Sequence, residues 1–159
     1  GFELDKTATQ GIRSTAAQIF DLQTAAWHEA AHAIVARHFG YYAGPAIWPS
    51  DNPQPHERLF AGNCKIFGVR PGFKHAVICW AGPLVEFCVN DLSLLYDDQR
   101  FVFDMLMDDY GALSPTDRAG IEGTPFRWRA CKTAAAILTR NSDKLEFEAK
   151  LLASTRRES

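Results

Sequence analysis

Ala26-Trp27-His28-Glu29-Ala30-Ala31-His32-Ala33-Ile34-Val35-Ala36 sits inside a run of helix formers from Ala16 to Phe39. Apolar positions recur at Ile19, Leu22, Ala26, Ala30, Ala33, Ile34 and Val35, and Gly40 follows where a left-handed C-cap residue belongs. This spacing predicts a helix over about 16–39. Positions i and i+4 share a helix face, so His28 and His32 can reach one metal ion with Glu29 beside them. Zinc held by two neutral imidazoles and a third protein ligand keeps one position for water and lowers the water's pKa toward ~7. A neighbouring carboxylate can then take the proton as water attacks a peptide carbonyl, which makes Glu29 the expected general base. With five His and eight Glu in 159 residues, an HExxH arises by chance roughly 0.008 times in such a chain. The competing reading is a packed helix whose two histidines make ordinary hydrogen bonds.

Around this helix, 159 residues suit one domain. A composition 47% hydrophobic and 23% charged excludes global disorder. No uncharged apolar stretch reaches the ~18 residues of a membrane span. Net charge is -2, without a basic stripe carrying interleaved aromatics, so nucleic acid is not an expected partner. Cys64, Cys79, Cys88 and Cys131 form no C-x-x-C pair, and the sequence opens on no basic-then-apolar leader. Reduced, mostly buried thiols in a cytoplasmic protein are the expectation.

Gly and Pro punctuate residues 41–71, with strand-like pieces at Ala46–Trp48 and Asn63–Val69, which predicts a small hairpin or edge sheet. Residues 74–110 read as two helices, with Pro83 placed in a first helical turn and Asp97-Asp98 at the joint. Ser114-Pro115 reads as a helix start, and Phe126–Leu138 and Lys144–Ala153 as C-terminal helices within 115–153. The fold class expected is mainly α (α+β), a helical domain with a small sheet.

The 26–36 stretch resembles the zinc helix of the FtsH-type ATP-dependent zinc proteases, AYHEAGHALVA in that family. Ala81-Gly82-Pro83-Leu84-Val85-Glu86 is similar to the family's GGRxAEE helix start, and Ala135-Ala136-Ile137-Leu138, Asp143-Lys144-Leu145 and Leu151-Leu152 to its C-terminal helices. Ala31 and Pro83 depart from the family's glycine and arginine. No Walker A pattern occurs in these residues, so activity independent of ATP is expected, on unfolded or flexible polypeptides unless a separate ATPase or adaptor feeds it. The resemblance implies a zincin-like peptidase domain, Zn2+, and an aspartate as third ligand after the Glu86 segment.

That aspartate is assigned to Asp98. The following helix would turn Phe101, Val102, Met105 and Leu106 inward and carry Asp98 to the core side. Asp97 and Asp104 are the alternatives, while Asn90-Asp91-Leu92 follows Glu86 too closely. Glu86 is expected, by the resemblance, to orient a ligand imidazole. Cys64-Lys65-Ile66-Phe67-Gly68 is expected to form the edge strand along which substrate lies, as in the family.

His38, ten residues after His28, stands at the third-ligand position of the metzincin pattern. Val35 replaces the glycine that bends that chain, and in a straight helix His38 lies ~15 Å along the axis from His28. Two further alternatives are a non-catalytic peptide- or protein-binding module on the same fold and an HExxH peptidase that cleaves a single regulator.

Overall fold

The computed structural model describes residues 2–51, 53–54 and 57–157. It is mainly helical with a small sheet. In chain order the elements are α1 (Phe2–His38), β1 (Tyr42–Pro49), β2 (Phe60–Phe67), α2 (Phe73–Cys88), α3 (Leu94–Asp97), α4 (Gln99–Asp108), α5 (Pro115–Ile121), α6 (Arg127–Arg140) and α7 (Ser142–Arg157).

Helix α1 begins at Phe2, well before residue 16. No proline lies between Phe2 and Gly40, and the single Gly11 does not stop the helix. It ends at His38, and Gly40 takes φ +87°, a conformation that side chains with a Cβ rarely adopt. His38 is exposed and its ring lies edge-on to Phe39, so the helix runs past the Val35 position without the bend a metzincin needs.

Strands β1 and β2 pair antiparallel in register Tyr42 with Phe67 through Pro49 with Phe60. Both are longer than the sequence pieces suggested, because the glycines and prolines within them lie on strands of a two-stranded edge sheet, where an unmatched backbone group faces outward. The sheet rests on α1, and the connection between the strands is tied back by the Leu59 N–H, which donates to Asp21 Oδ2 at 2.8 Å.

Helix α2 is the centre of the core. It packs against α1 on one side and α6 on another, with α5 beside it. Ala76 through Val85 are all buried, and Trp80, Ile78, Leu84, Val77 and Val85 are fully enclosed. Pro83 lies deep inside this helix rather than in a first turn. Pro83 lacks an N–H for the Cys79 carbonyl, and dense apolar packing on all sides holds the helix together across that gap. Cys79, Cys88 and Cys131 are buried free thiols and Cys64 is a half-buried one.

Leu138 on α6 is fully buried in this core, whereas Phe147 on α7 is 69% exposed. Leu138→Ala should therefore cost about 2–5 kcal/mol of unfolding free energy, and Phe147→Ala less than about 0.5 kcal/mol. Urea unfolding of the two variants beside the parent checks the contrast.

Candidate functional site

Three helices meet at one point. His28, Glu29 and His32 lie in the buried half of α1, where Ala30, Ala31 and Ala33 let α2 approach closely. Their ligand atoms all lie within 4.8 Å of one another, a group placed to hold a metal ion. The fourth member is Asp117 on α5, 5% exposed. Its Oδ2 is 3.1 Å from His28 Nε2 and its Oδ1 is 3.3 Å from His32 Nε2.

The far sides of both rings are fixed. His28 Nδ1 donates to Glu86 Oε2 at 2.7 Å, and His32 Nδ1 donates to the Ile78 carbonyl at 2.7 Å. Each Nε2 is thereby turned toward the Asp117 carboxylate. Two imidazoles and a carboxylate at such distances are held together by a shared proton or by a cation. Ligands bound at about 2.0–2.2 Å around a tetrahedral ion stand about 3.3 Å apart, close to the 3.1 and 3.3 Å that separate the two Nε2 atoms from the two oxygens of Asp117. The donor set and its spacing fit a metal ion.

The close approach of both rings to α2 depends on Gly82. A Cβ built on it would lie 2.5 Å from both Nε2 atoms. Gly62 does the same for the carboxylate: its Cβ would meet Glu29 Cγ and Oε2 at 2.7 Å, so only a glycine lets β2 pass over Glu29. The resulting cleft, about 320 Å³, has α1 as its floor, Gly62, Asn63, Cys64 and Ile66 of β2 on one side, and α2 with α5 on the other.

Without a metal, the charges settle among these side chains. Burial opposes a charged His28, but hydrogen bonds to Asp117 and Glu86 and the negative charges of Glu29 and Asp117 outweigh it and raise its pKa to about 10. Burial would raise Asp117, yet His32 and His28 hold it well below the usual carboxylate range. Glu29 is raised, because burial outweighs the pull of the two imidazoles. Burial pushes the Cys64 and Cys79 thiols up to about 12, so neither supplies a thiolate near neutral pH.

The carboxylate that lies beside the two imidazoles is Asp117, not one of the three aspartates expected there. Asp98, Asp97 and Asp104 are all exposed, and Asp104 pairs with Arg100 at 3.1 Å. Asp98 sits in the joint between α3 and α4 with φ −135° and ψ 41°, so the helical face drawn through it does not extend to it. That face is itself shifted: Val102 and Phe103 are buried, while Phe101 and Met105 are 50% and 42% exposed. The sequence did carry a signal for Asp117. Ser114-Pro115-Thr116-Asp117 is a helix start with an acid three residues after the capping serine, and the Ser114 hydroxyl accepts from the Asp117 N–H at 3.1 Å.

Glu86 stands beside His28, with its second oxygen paired to Arg58 from the β1–β2 connection, a residue that sequence reasoning missed. Of the expected edge segment, Cys64 and Ile66 line the cleft, whereas Lys65, Phe67 and Gly68 are exposed and lie outside its lining. Among the described residues no helix is long and apolar enough to cross a membrane. No protein-family model and no curated protein matches the chain.

Two predictions follow from this geometry. Gly82→Ala should lower metal affinity at least about tenfold by pushing the two imidazoles apart, read by titration with a competing chelator. Because the folded-state pKa of His28 is raised, its stabilisation is complete below about pH 6.5 and is lost as pH rises toward about 10. The thermal midpoint of chelator-treated protein should therefore fall between about pH 7 and pH 9, and His28→Ala should flatten that slope.

Proposed function

We propose that the protein is a zinc-dependent endopeptidase similar to the peptidase domain of the FtsH-type proteases, acting on unfolded or flexible polypeptides without ATP. The observation that carries this reading is the Asp117 carboxylate facing both Nε2 atoms of the HExxH helix, with Glu29 next to them. His28, His32 and Asp117 would hold the ion. Zinc, when bound there, polarises a peptide carbonyl and makes water acidic enough to attack at neutral pH.

The remaining work falls to the chain's own side chains. Glu86 and the Ile78 carbonyl keep both Nδ1 atoms protonated, which leaves each Nε2 lone pair for the ion. Glu29 lies in a buried position that raises its affinity for a proton, and it takes one from the attacking water. The water oxygen bonds to the carbonyl carbon, the C–N bond breaks, and Glu29 returns the proton to the leaving nitrogen. One water is consumed, a carboxyl group and an amine are released, and Glu29 ends as it began.

Strand β2 gives the substrate a place to lie. Among the described residues it pairs only with β1, so its other edge can hydrogen-bond an extended peptide backbone, a mode that selects for an unfolded chain more than for a sequence. A separate ATPase or adaptor would extend the range to folded substrates.

The test is metal content and peptidase activity of purified variants. The parent should carry near one zinc per chain. Glu29→Gln should keep it and lose about 10²–10⁴ in kcat on an unstructured substrate. Asp117→Ala should lose zinc affinity by more than about a hundredfold, while Asp98→Ala should leave it unchanged. Full activity in Glu29→Gln, or zinc that survives in Asp117→Ala, would overturn the reading.

A further inference from the structure

One end of the cleft is positively charged. From Leu59 to Val85, which spans the connection into β2, the strand itself, the turn after it and most of α2, the sequence holds Lys65, Arg70 and Lys74 and no aspartate or glutamate. All three residues are exposed, and among the described residues none of them has a carboxylate partner.

Strand geometry places Lys65. Inward and outward residues alternate along β2: Cys64 and Ile66 are half-buried, while Asn63, Lys65 and Phe67 are exposed. Gly44 stands opposite Lys65 on β1, so that position brings no side chain to cover the ammonium. Beyond its other edge β2 has no neighbouring strand among the described residues. The cleft lies on that side, since Gly62, Asn63, Cys64 and Ile66 line it and no residue of β1 does.

The other two cations follow in the chain. Strand β2 crosses Glu29 at Gly62 and runs past Lys65 into residues 68–72, which carry Arg70. Val69 of this connection and His75 in the first turn of α2 line the cleft. Lys74 precedes His75, and its Nζ lies 5.7 Å from the centre of the Phe39 ring. The first turn of α2 contains no acid. Helix α5 brings Asp117, which is engaged by two imidazoles, and just after its last turn Glu122, which accepts from the Tyr110 hydroxyl.

An extended chain paired with the open edge of β2 would set alternate side chains on the same face as Lys65. Opposite charges across a strand pair attract and like charges repel, so an aspartate or glutamate is favoured beside Lys65 and a lysine disfavoured. Arg70 and Lys74 extend the positive potential along the same chain. We propose that this end of the cleft selects acidic segments: the bound polypeptide carries aspartate or glutamate on one side of the scissile bond, and Lys65, supported by Arg70 and Lys74, determines that preference. This rests on the peptidase reading and names a substrate class for it. A lysine on an open edge also guards against edge-to-edge pairing of sheets. A charge of either sign serves as a guard, whereas selection depends on the sign.

The experiment uses unstructured peptides with both ends blocked that differ at one position, occupied by aspartate, alanine or lysine and moved from one side of the cut to the other. With the zinc-loaded parent, kcat/KM should be about three- to tenfold higher for aspartate than for lysine on one side of the cut and alike on the other. Lys65→Glu should reverse that preference, and adding Arg70→Glu and Lys74→Glu should widen the reversal, with zinc content unchanged. Salt at about 1 M should erase it. A parent indifferent to charge, or a preference that Lys65→Glu leaves in place, would overturn the proposal while the peptidase reading stood. Anisotropy of labelled peptides on zinc-loaded Glu29→Gln reads the same preference without hydrolysis. If the parent cleaved no peptide while Glu29→Gln bound the aspartate peptides more tightly, the peptidase reading would fail and the selection of acidic chains would stand. Equal binding of all peptides would overturn it.

Discussion

Two imidazoles and a carboxylate meet at one buried point, and the rest of the molecule is arranged to keep them there. His28 and His32 come from α1 and Asp117 from α5, and the helix between them, α2, supplies the hydrogen bonds that turn both rings. The alanines of α1 and Gly82 of α2 matter for the same reason: larger side chains would separate the helices and pull that meeting point apart. The dense apolar burial of α2 is thus the support of the site as well as the core of the fold. Such packing offsets the cost of gathering several ionisable groups out of water.

Where the sequence was readable, the signal was local and periodic. The HExxH residues announce themselves because a 3.6-residue period and a metal's need for two adjacent nitrogens coincide on α1. The joint between α3 and α4 at Asp97-Asp98, the start of α5 at Ser114-Pro115 and the two C-terminal helices were visible from breakers and caps, whereas 74–110 read as two helices and the end of α2 at Cys88 before the short α3 was missed. The small sheet was visible from its glycines and prolines, though its strands extend beyond the apolar pieces.

Asp117 was not found because its place beside the two imidazoles depends on tertiary packing. Several aspartates follow Glu86 at acceptable distances, and choosing among them needs the path of the chain through α3 and α4. The inward-face argument for Asp98 carried a helical period through a residue that is not helical. Pro83 was misplaced for a related reason. A proline is a helix-start signal only when local preference decides, and in α2 burial on every side decides instead. Arg58 carries no signal in the sequence, since an isolated arginine gains meaning only from its neighbours.

The β1–β2 connection is fastened near its β2 end to the helices beneath it, Leu59 through Asp21 to α1 and Arg58 through Glu86 to α2. Glu86 therefore holds the hairpin with one oxygen and the His28 ring with the other. A displacement of the hairpin at Arg58 therefore reaches the His28 ring through one carboxylate, so the setting of the sheet and the orientation of that imidazole are mechanically linked.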